Sequence, residues 1–149
     1  DRFLRLNTMA ATYTLDVVTP ERTMLSEAVT QTIAPGTEGQ LGILASHAPL
    51  MTELAPGEVL ATLADGRTTA HIVISGGFME VAPGGGRTTI LADYAERADE
   101  IDVTRAEADL AAARQMLAET ETGSDQQAEA LRSLAHAETR IRVSRDGSK

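Results

Sequence analysis

The chain has 149 residues, of which 22 are Asp or Glu and 13 are Lys or Arg, so its formal net charge is −9. This acidic balance argues against binding along DNA or RNA, because nucleic-acid-binding surfaces are usually basic. The absence of cysteine excludes disulfides, thiol nucleophiles and cysteine-ligated zinc within this chain.

The first residues, Asp1 to Thr8, lack the apolar core and the small-residue cleavage site of a secretory signal. We expect residues 1–9 to be an extension or a disordered start, with Met9 a candidate for the true start. No apolar run approaches the roughly 20 residues that a membrane-spanning helix needs. The sequence therefore predicts no transmembrane helix.

Amino-acid composition changes near residues 93–96. All five prolines and ten of the twelve glycines precede this point, whereas Ala, Glu and Arg dominate after it. We therefore predict two units, one spanning residues 10–95 and the other residues 96–149.

The first unit is predicted to be built of β-strands. Short runs rich in β-branched residues, bounded by Gly and Pro turns, predict strands at 13–18, 28–34, 57–63, 68–75, 78–82 and 87–91. Asp65-Gly66 is typical of a two-residue hairpin turn. Short strands at this spacing indicate a β-sandwich or a barrel.

The second unit is predicted to be a helical hairpin with a loop at residues 121–125. Apolar residues recur at helical spacing in two stripes, namely Ala106, Leu110, Ala113, Leu117 and then Leu131, Leu134, Ala135, Ile141. Both stripes are narrow and rich in Ala, which buries little area. We therefore expect the hairpin to be weakly anchored and able to leave the β-unit.

Cap signals mark the start of each predicted helix. Ser124 with Gln127 forms a capping-box pattern for the second helix. The first helix has two alternative caps, either Thr104 with Glu107 or Asp102 alone.

The sequence contains no recognisable catalytic or metal-binding pattern. The three histidines have no metal-ligand spacing, and no Gly-x-Ser-x-Gly elbow occurs. The glycine-rich stretches at 75–77 and 84–88 lie between predicted strands, which is the wrong context for a phosphate-binding loop. The charged stretch 96–106 is compatible with a capped helix start or with a ligand site.

Several segments together resemble the epsilon subunit of F-type ATP synthases, which is called delta in mitochondria. They are 15–21, 36–44 followed by His47 to Leu50, 74–81 and 89–93. The combination of Glu-Gly-x-Leu-Gly-Ile, His-Ala-Pro-Leu and Ser-Gly-Gly-Phe-x-Glu-Val is specific, and the resemblance extends from about Tyr13 to Val143.

The resemblance implies an α+β fold: an N-terminal ten-stranded β-sandwich followed by a C-terminal antiparallel α-helical hairpin. It implies a non-catalytic central-stalk rotor subunit that binds the gamma subunit and the c-ring and couples rotation to ATP synthesis. The extended hairpin would reach the alpha/beta catalytic head and inhibit ATP hydrolysis. The implied location is the cytoplasmic face of the bacterial plasma membrane, within the complex, with no required cofactor.

The resemblance also implies site residues. Gln40 and His47 would contact the c-ring, and Arg140, Arg142 and Arg145 would make the inhibitory contact. Regulatory ATP would be bound by four residues: Glu96, Asp102, Arg105 and Arg140.

Two further positions where some relatives carry basic residues hold Ala112 and His136, which lowers the positive charge available to phosphate. The alternative function is a nucleotide-sensing module whose hairpin closes on ATP.

Overall fold

A computed structural model describes residues 11–147, so the predicted extension over residues 1–9 lies outside the described residues, as do residues 148 and 149. The elements are β1 (Tyr13–Val18), β2 (Thr23–Gly36), β3 (Gly39–Leu44), β4 (Leu50–Leu63), β5 (Thr69–Val81), β6 (Arg87–Ala92), β7 (Ala95–Arg97), a short 3-10 helix (Ala98–Glu100), α1 (Val103–Glu119) and α2 (Asp125–Asp146). Strands followed by helices confirm the α+β class. The predicted boundary between residues 95 and 96 stays a prediction, and β7 spans it.

The β-unit encloses an aliphatic core. Along β1, Tyr13, Leu15 and Val17 are buried while the residues between them are only half-buried, as strand alternation requires. Other strands contribute fully buried side chains, including Ile43, Ile72, Ile74, Met79 and Ile90. The Tyr13 hydroxyl lies 2.6 Å from Thr32 Oγ1 and 2.9 Å from the carbonyl oxygen of Ile43, so its polar end is satisfied inside the core.

Seven strands are described in residues 11–147, so the expected number of ten is not confirmed. β2, β4 and β5 have 13 or 14 residues each, roughly twice the usual strand length. Two of them change partners along their length: β2 pairs with β1 over residues 23–29 and with β3 over residues 31–36, and β5 pairs with β7 at Ile72–Ile74 and with β6 at Gly77–Val81.

Several of the Gly and Pro residues that predicted turns lie inside continuous strands. The predicted strands 68–75 and 78–82 are one strand, β5, and the strand predicted at 57–63 begins at Leu50. The strand predicted at 28–34 begins at Thr23, while β3 and β7 had no predicted counterpart. Gly77 lies inside β5 with φ +150°, and a Cβ atom there would lie 2.0 Å from the carbonyl oxygen of Leu91.

The two helices begin at side-chain caps. Asp102 accepts a hydrogen bond from the backbone N–H of Arg105 at 3.1 Å, which decides between the two predicted caps of α1. Ser124 Oγ accepts from the backbone N–H of Gln127 at 3.1 Å, which confirms the predicted cap of α2. The reciprocal half of the predicted capping box differs, because the Gln127 side chain accepts from the backbone N–H of Gly123 at 2.7 Å. Gly123, with φ +83°, makes the turn between the helices.

The hairpin packs through small side chains. Its buried apolar residues are Ala106 and Ala113 on α1 and Ala130, Ala137, Ile141 and Val143 on α2. The predicted stripe on α2 is partly wrong, because Leu131 is 47% exposed and Ala135 is also exposed. α2 lies between α1 and the sheet, where it contacts β4, β5 and the 3-10 helix.

Candidate functional site

The contact between hairpin and sheet contains a buried ion pair. β7 presents Glu96 and α2 presents Arg140, and each side chain is only 10% exposed. Arg140 Nε lies 2.9 Å from Glu96 Oε2, and Nη2 lies 3.1 Å from Oε1. Such a bidentate arrangement gives two charge-assisted hydrogen bonds of fixed direction. It fastens α2 to the sheet.

Asp109 of α1 extends this pair into a cluster. Its Oδ2 lies 3.3 Å from Arg140 Nη1, and its Oδ1 lies 3.6 Å from Arg105 Nε. Arg140 therefore has a carboxylate from the sheet and another from the neighbouring helix. The hydrogen bond to Glu96 is the largest cause of the raised pKa of Arg140, which keeps the guanidinium charged.

Asp109 was absent from the sequence-based site. Its spacing of four residues from Arg105 is the only signal that the sequence gives, and such pairs are common on exposed helix faces. The contact with Arg140 depends on how the helices pack.

The four predicted nucleotide-binding residues are only partly brought together. Glu96 and Arg140 are in direct contact, and Arg105 joins them through Asp109. The Asp102 carboxylate instead caps the first turn of α1.

Ala112 and His136 lie in a recess of about 290 Å³ between the helices, which Asp109 also lines. Other lining residues are Ala113, Met116, Ser133 and Ala137. The recess thus contains one carboxylate and no lysine or arginine, so it offers little attraction to a phosphate group.

His136 is half-buried beside Tyr94, on the sheet side of α2. Their ring centroids are 5.9 Å apart with planes at 71°, an edge-to-face contact. Burial lowers the pKa of His136, and the positive charge of Arg140 lowers it further, while Glu96 and Asp109 act in the opposite direction. Burial, with a hydrogen bond to Glu96, raises the pKa of Tyr94. Both rings are therefore favoured in their neutral forms.

A second ion pair fixes the segment that leads into the hairpin. Arg22, in the turn after β1, places Nη2 2.7 Å from Glu100 Oε2, and the Arg97 backbone N–H donates to Glu100 Oε1 at 3.1 Å. The Arg22 hydrogen bond is the main cause of the lowered pKa of Glu100. The 3-10 helix is thus tied to the β-unit.

The predicted c-ring residues lie at opposite ends of β3. Gln40 is exposed near its start, whereas His47 is half-buried in the loop that follows its end. His47 Nδ1 lies 2.8 Å from the carbonyl oxygen of Ala48. A Cβ at Gly85 would lie 2.5 Å from Ser46 Cα, so the β5–β6 turn supports this loop directly.

The predicted inhibitory arginines do not share one surface. Arg140 faces inward to Glu96, whereas Arg142 is exposed. Arg142 and Arg145 line an open groove of about 890 Å³ between the helices; its other lining residues are Glu107, Leu110, Glu138, Ile141 and Asp146. Of these three arginines, Arg142 and Arg145 line this groove and Arg140 does not.

An exposed apolar pair, which the sequence reasoning missed, lies on the β-unit. Phe78 on β5 and Leu91 on β6 are cross-strand neighbours, and each is 56% exposed. They border a shallow groove with Pro20. Adjacent exposed apolar side chains of this size commonly mark contact surfaces. The alternation of buried and exposed residues along β5 is the sequence signal that could have located Phe78 on the exposed face.

Within residues 11–147, no group of three His, Asp or Glu side chains is arranged to hold a metal ion. In the same part of the chain, no helix is long and apolar enough to cross a membrane.

Comparison with known families gives a match over the β-unit. A family model described as the β-sandwich domain of the ATP synthase delta/epsilon chain matches residues 12–98. This range includes the seven described strands together with the start of the 3-10 helix.

Similar proteins include named epsilon chains from several bacteria. The ATP synthase epsilon chain of Dehalococcoides mccartyi is 52% identical over 92 residues, covering 62% of this chain and 63% of that relative. That of Herpetosiphon aurantiacus is 48% identical over 128 residues, covering 86% of this chain and 85% of the relative. This chain therefore spans less than two thirds of the first relative and most of the second.

A solved structure has a similar fold. A chain in the Euglena gracilis mitochondrial ATP synthase, from a structure of OSCP, F1 and the c-ring, superposes with a TM-score of 0.75 at 26% identity. The superposition covers 89% of this chain and 81% of that one.

Proposed function

Since the chain belongs to the ATP synthase delta/epsilon family, we propose that it is the central-stalk rotor subunit that binds gamma and the c-ring. Members of this family are non-catalytic parts of a membrane-associated complex that makes ATP. The 128-residue alignment with the Herpetosiphon epsilon chain carries the proposal, because it is too long to be confined to the β-unit. The subunit would couple proton-driven rotation to ATP synthesis on the cytoplasmic face of a bacterial plasma membrane.

The proposed surface for gamma is the exposed apolar pair Phe78 and Leu91. These side chains are cross-strand partners on β5 and β6, and both remain exposed while the hairpin is docked. Burying the Phe78 and Leu91 side chains, which border a shallow groove, against a partner would remove a large apolar area from water. Gln40 and His47, at the two ends of β3, would then contact the c-ring.

The hairpin would act as the inhibitory element. In the docked conformation, Arg140 is held by Glu96 and Asp109 and cannot reach another protein. Release of α2 would free Arg140 to join Arg142 and Arg145 on an extended helix facing the alpha/beta head. The small residues in the hairpin contacts make this release feasible, because little apolar area is lost per residue.

The nucleotide-sensing alternative has weaker support. A phosphate group at Arg140 would have to compete with two carboxylates already bound there. Ala112 and His136 add no fixed positive charge, so we infer that regulatory ATP binding at Glu96, Asp102, Arg105 and Arg140 is weak.

Co-purification of the chain with gamma tests the proposed assembly. The wild-type chain should form a stoichiometric complex, and the double variant Phe78→Ser, Leu91→Ser should lose most of the binding. Leu131→Ser is the matched control, because Leu131 is similarly exposed but lies on α2.

If the double variant binds gamma as well as the wild-type chain does, Phe78 and Leu91 are not the contact surface, although the proposed assembly with gamma still stands. Failure of the folded wild-type chain to bind gamma would reject the proposed function.

A further inference from the structure

His136 lies at the contact that holds the hairpin against the β-unit. We propose that His136 is a pH-sensitive release for the hairpin: protonation of its imidazole places a second cation beside Arg140 and frees α2 from the sheet. The inference depends on the docked conformation of this chain and does not require assembly into a complex.

The position of His136 on α2 supports this role. It precedes Arg140 by four residues, so the two side chains share one helix face. The imidazole packs against the ring of Tyr94, 5.9 Å away, and borders recesses on both sides of the helix. A charge on this ring would be only partly hydrated while the hairpin is docked.

The charged and titratable groups around His136 come from every element packed against it. α2 itself contributes Arg132 and Arg140, the segment before β7 contributes Tyr94, β7 contributes Glu96 and α1 contributes Asp109. The two carboxylates would favour an imidazolium ion, but both are already bonded to Arg140.

The direction of the pH effect follows from linkage. Docking lowers the pKa of His136, chiefly through burial and then through Arg140, relative to about 6.5 for an exposed histidine. The released state therefore binds more protons, and docking is strongest above pH 6.5. As pH falls below this value, the docking equilibrium weakens by up to about tenfold per pH unit, the limit for one titrating group.

The full chain can report docking directly, because it contains no cysteine. Fluorophores on Gln115→Cys, on α1, and Ala64→Cys, in the β4–β5 turn, form a pair across the two units. We expect energy transfer to indicate docking at pH 7.5 and increasing release at pH 5.5, with the sheet signal in circular dichroism unchanged. His136→Gln, which cannot become charged, should remain docked at both pH values.

Two matched controls separate His136 from the other histidines. His47→Gln lies in the loop after β3, and His71→Gln removes the partner of Glu58 near the end of α2. Both variants should keep the pH response of the wild-type chain. The proposal is overturned if His136→Gln responds to pH like the wild type, or if the wild-type chain shows no response.

Nuclear magnetic resonance titration of the wild-type imidazole provides a test that needs no variant at position 136. With the docked state populated, the His136 resonances should titrate below pH 6.5. Titration at or above pH 6.5 would also overturn the proposal, since docking would then be favoured by protonation.

Discussion

Arg140 makes the buried ion pair between the hairpin and the sheet. We expect Arg140→Met to disfavour docking by about 3–5 kcal/mol, because Glu96 would remain buried without its partner. If the hairpin leaves the sheet as proposed, the loss should appear as faster hydrogen exchange in α2 with little change in the β-strands. Arg142→Met is the control, since Arg142 is exposed on the same helix. Unchanged exchange in Arg140→Met would contradict this role.

Combining Arg140→Met with Glu96→Gln tests whether the unpaired charge causes the loss. The double variant should recover part of the docking, because a neutral amide is cheaper to bury than a lone carboxylate. Equal release in the single and double variants would show that lost packing dominates. The measurement is again hydrogen exchange in α2.

The sequence was sufficient to select Glu96 and Arg140 but not to explain what they do in the docked state. Both came from a resemblance, which pointed to nucleotide binding, whereas the structure shows that they bind each other. The pairing joins positions 44 residues apart, and helix periodicity alone contains no information about that contact. The contact of Asp109 with Arg140 could not be predicted for the same reason.

At the level of elements, β5 depends on Gly77. We expect Gly77→Ala to lower the free energy of unfolding by more than about 2 kcal/mol, because φ is positive and the added methyl group would collide with the Leu91 carbonyl oxygen. Gly86→Ala is the matched control: its Cβ would meet open space, and its effect should stay within about 0.5 kcal/mol. Urea denaturation measures both, and equal effects would contradict the argument.

Element type was easier to predict from the sequence than element number. Runs of β-branched residues located strands, and apolar spacing with cap residues located both helices. These signals depend only on residues that are near one another in the sequence. Whether Gly76-Gly77 ends a strand or bends it depends on the partner strand, and β6 keeps the chain extended here. The predicted stripe on α2 included Leu131 for a similar reason: α2 has two neighbours, and their directions set its buried face.

For the whole molecule, the proposed function gives the Glu96–Arg140 ion pair and the arginines Arg142 and Arg145 separate roles that variants can distinguish. Neutralising Arg142 and Arg145 to Gln leaves the Glu96–Arg140 pair intact, whereas Glu96→Gln weakens docking while leaving Arg142 and Arg145 in place. If the hairpin inhibits only when released, the first change should raise ATP hydrolysis by the assembled complex. The second should lower it, because more hairpins would be extended.

Removal of residues 103–149 tests the complete loss of the hairpin. The cut lies after the 3-10 helix, so it preserves β7 and the Arg22–Glu100 ion pair, which a cut at residue 96 would destroy. The truncated chain should still bind gamma through Phe78 and Leu91, and hydrolysis by its complex should be at least as fast as with Arg142→Gln, Arg145→Gln. Binding without any rise in hydrolysis would leave coupling as the role of the subunit and remove inhibition. Loss of gamma binding in a folded truncated chain would instead place part of that interface on the hairpin.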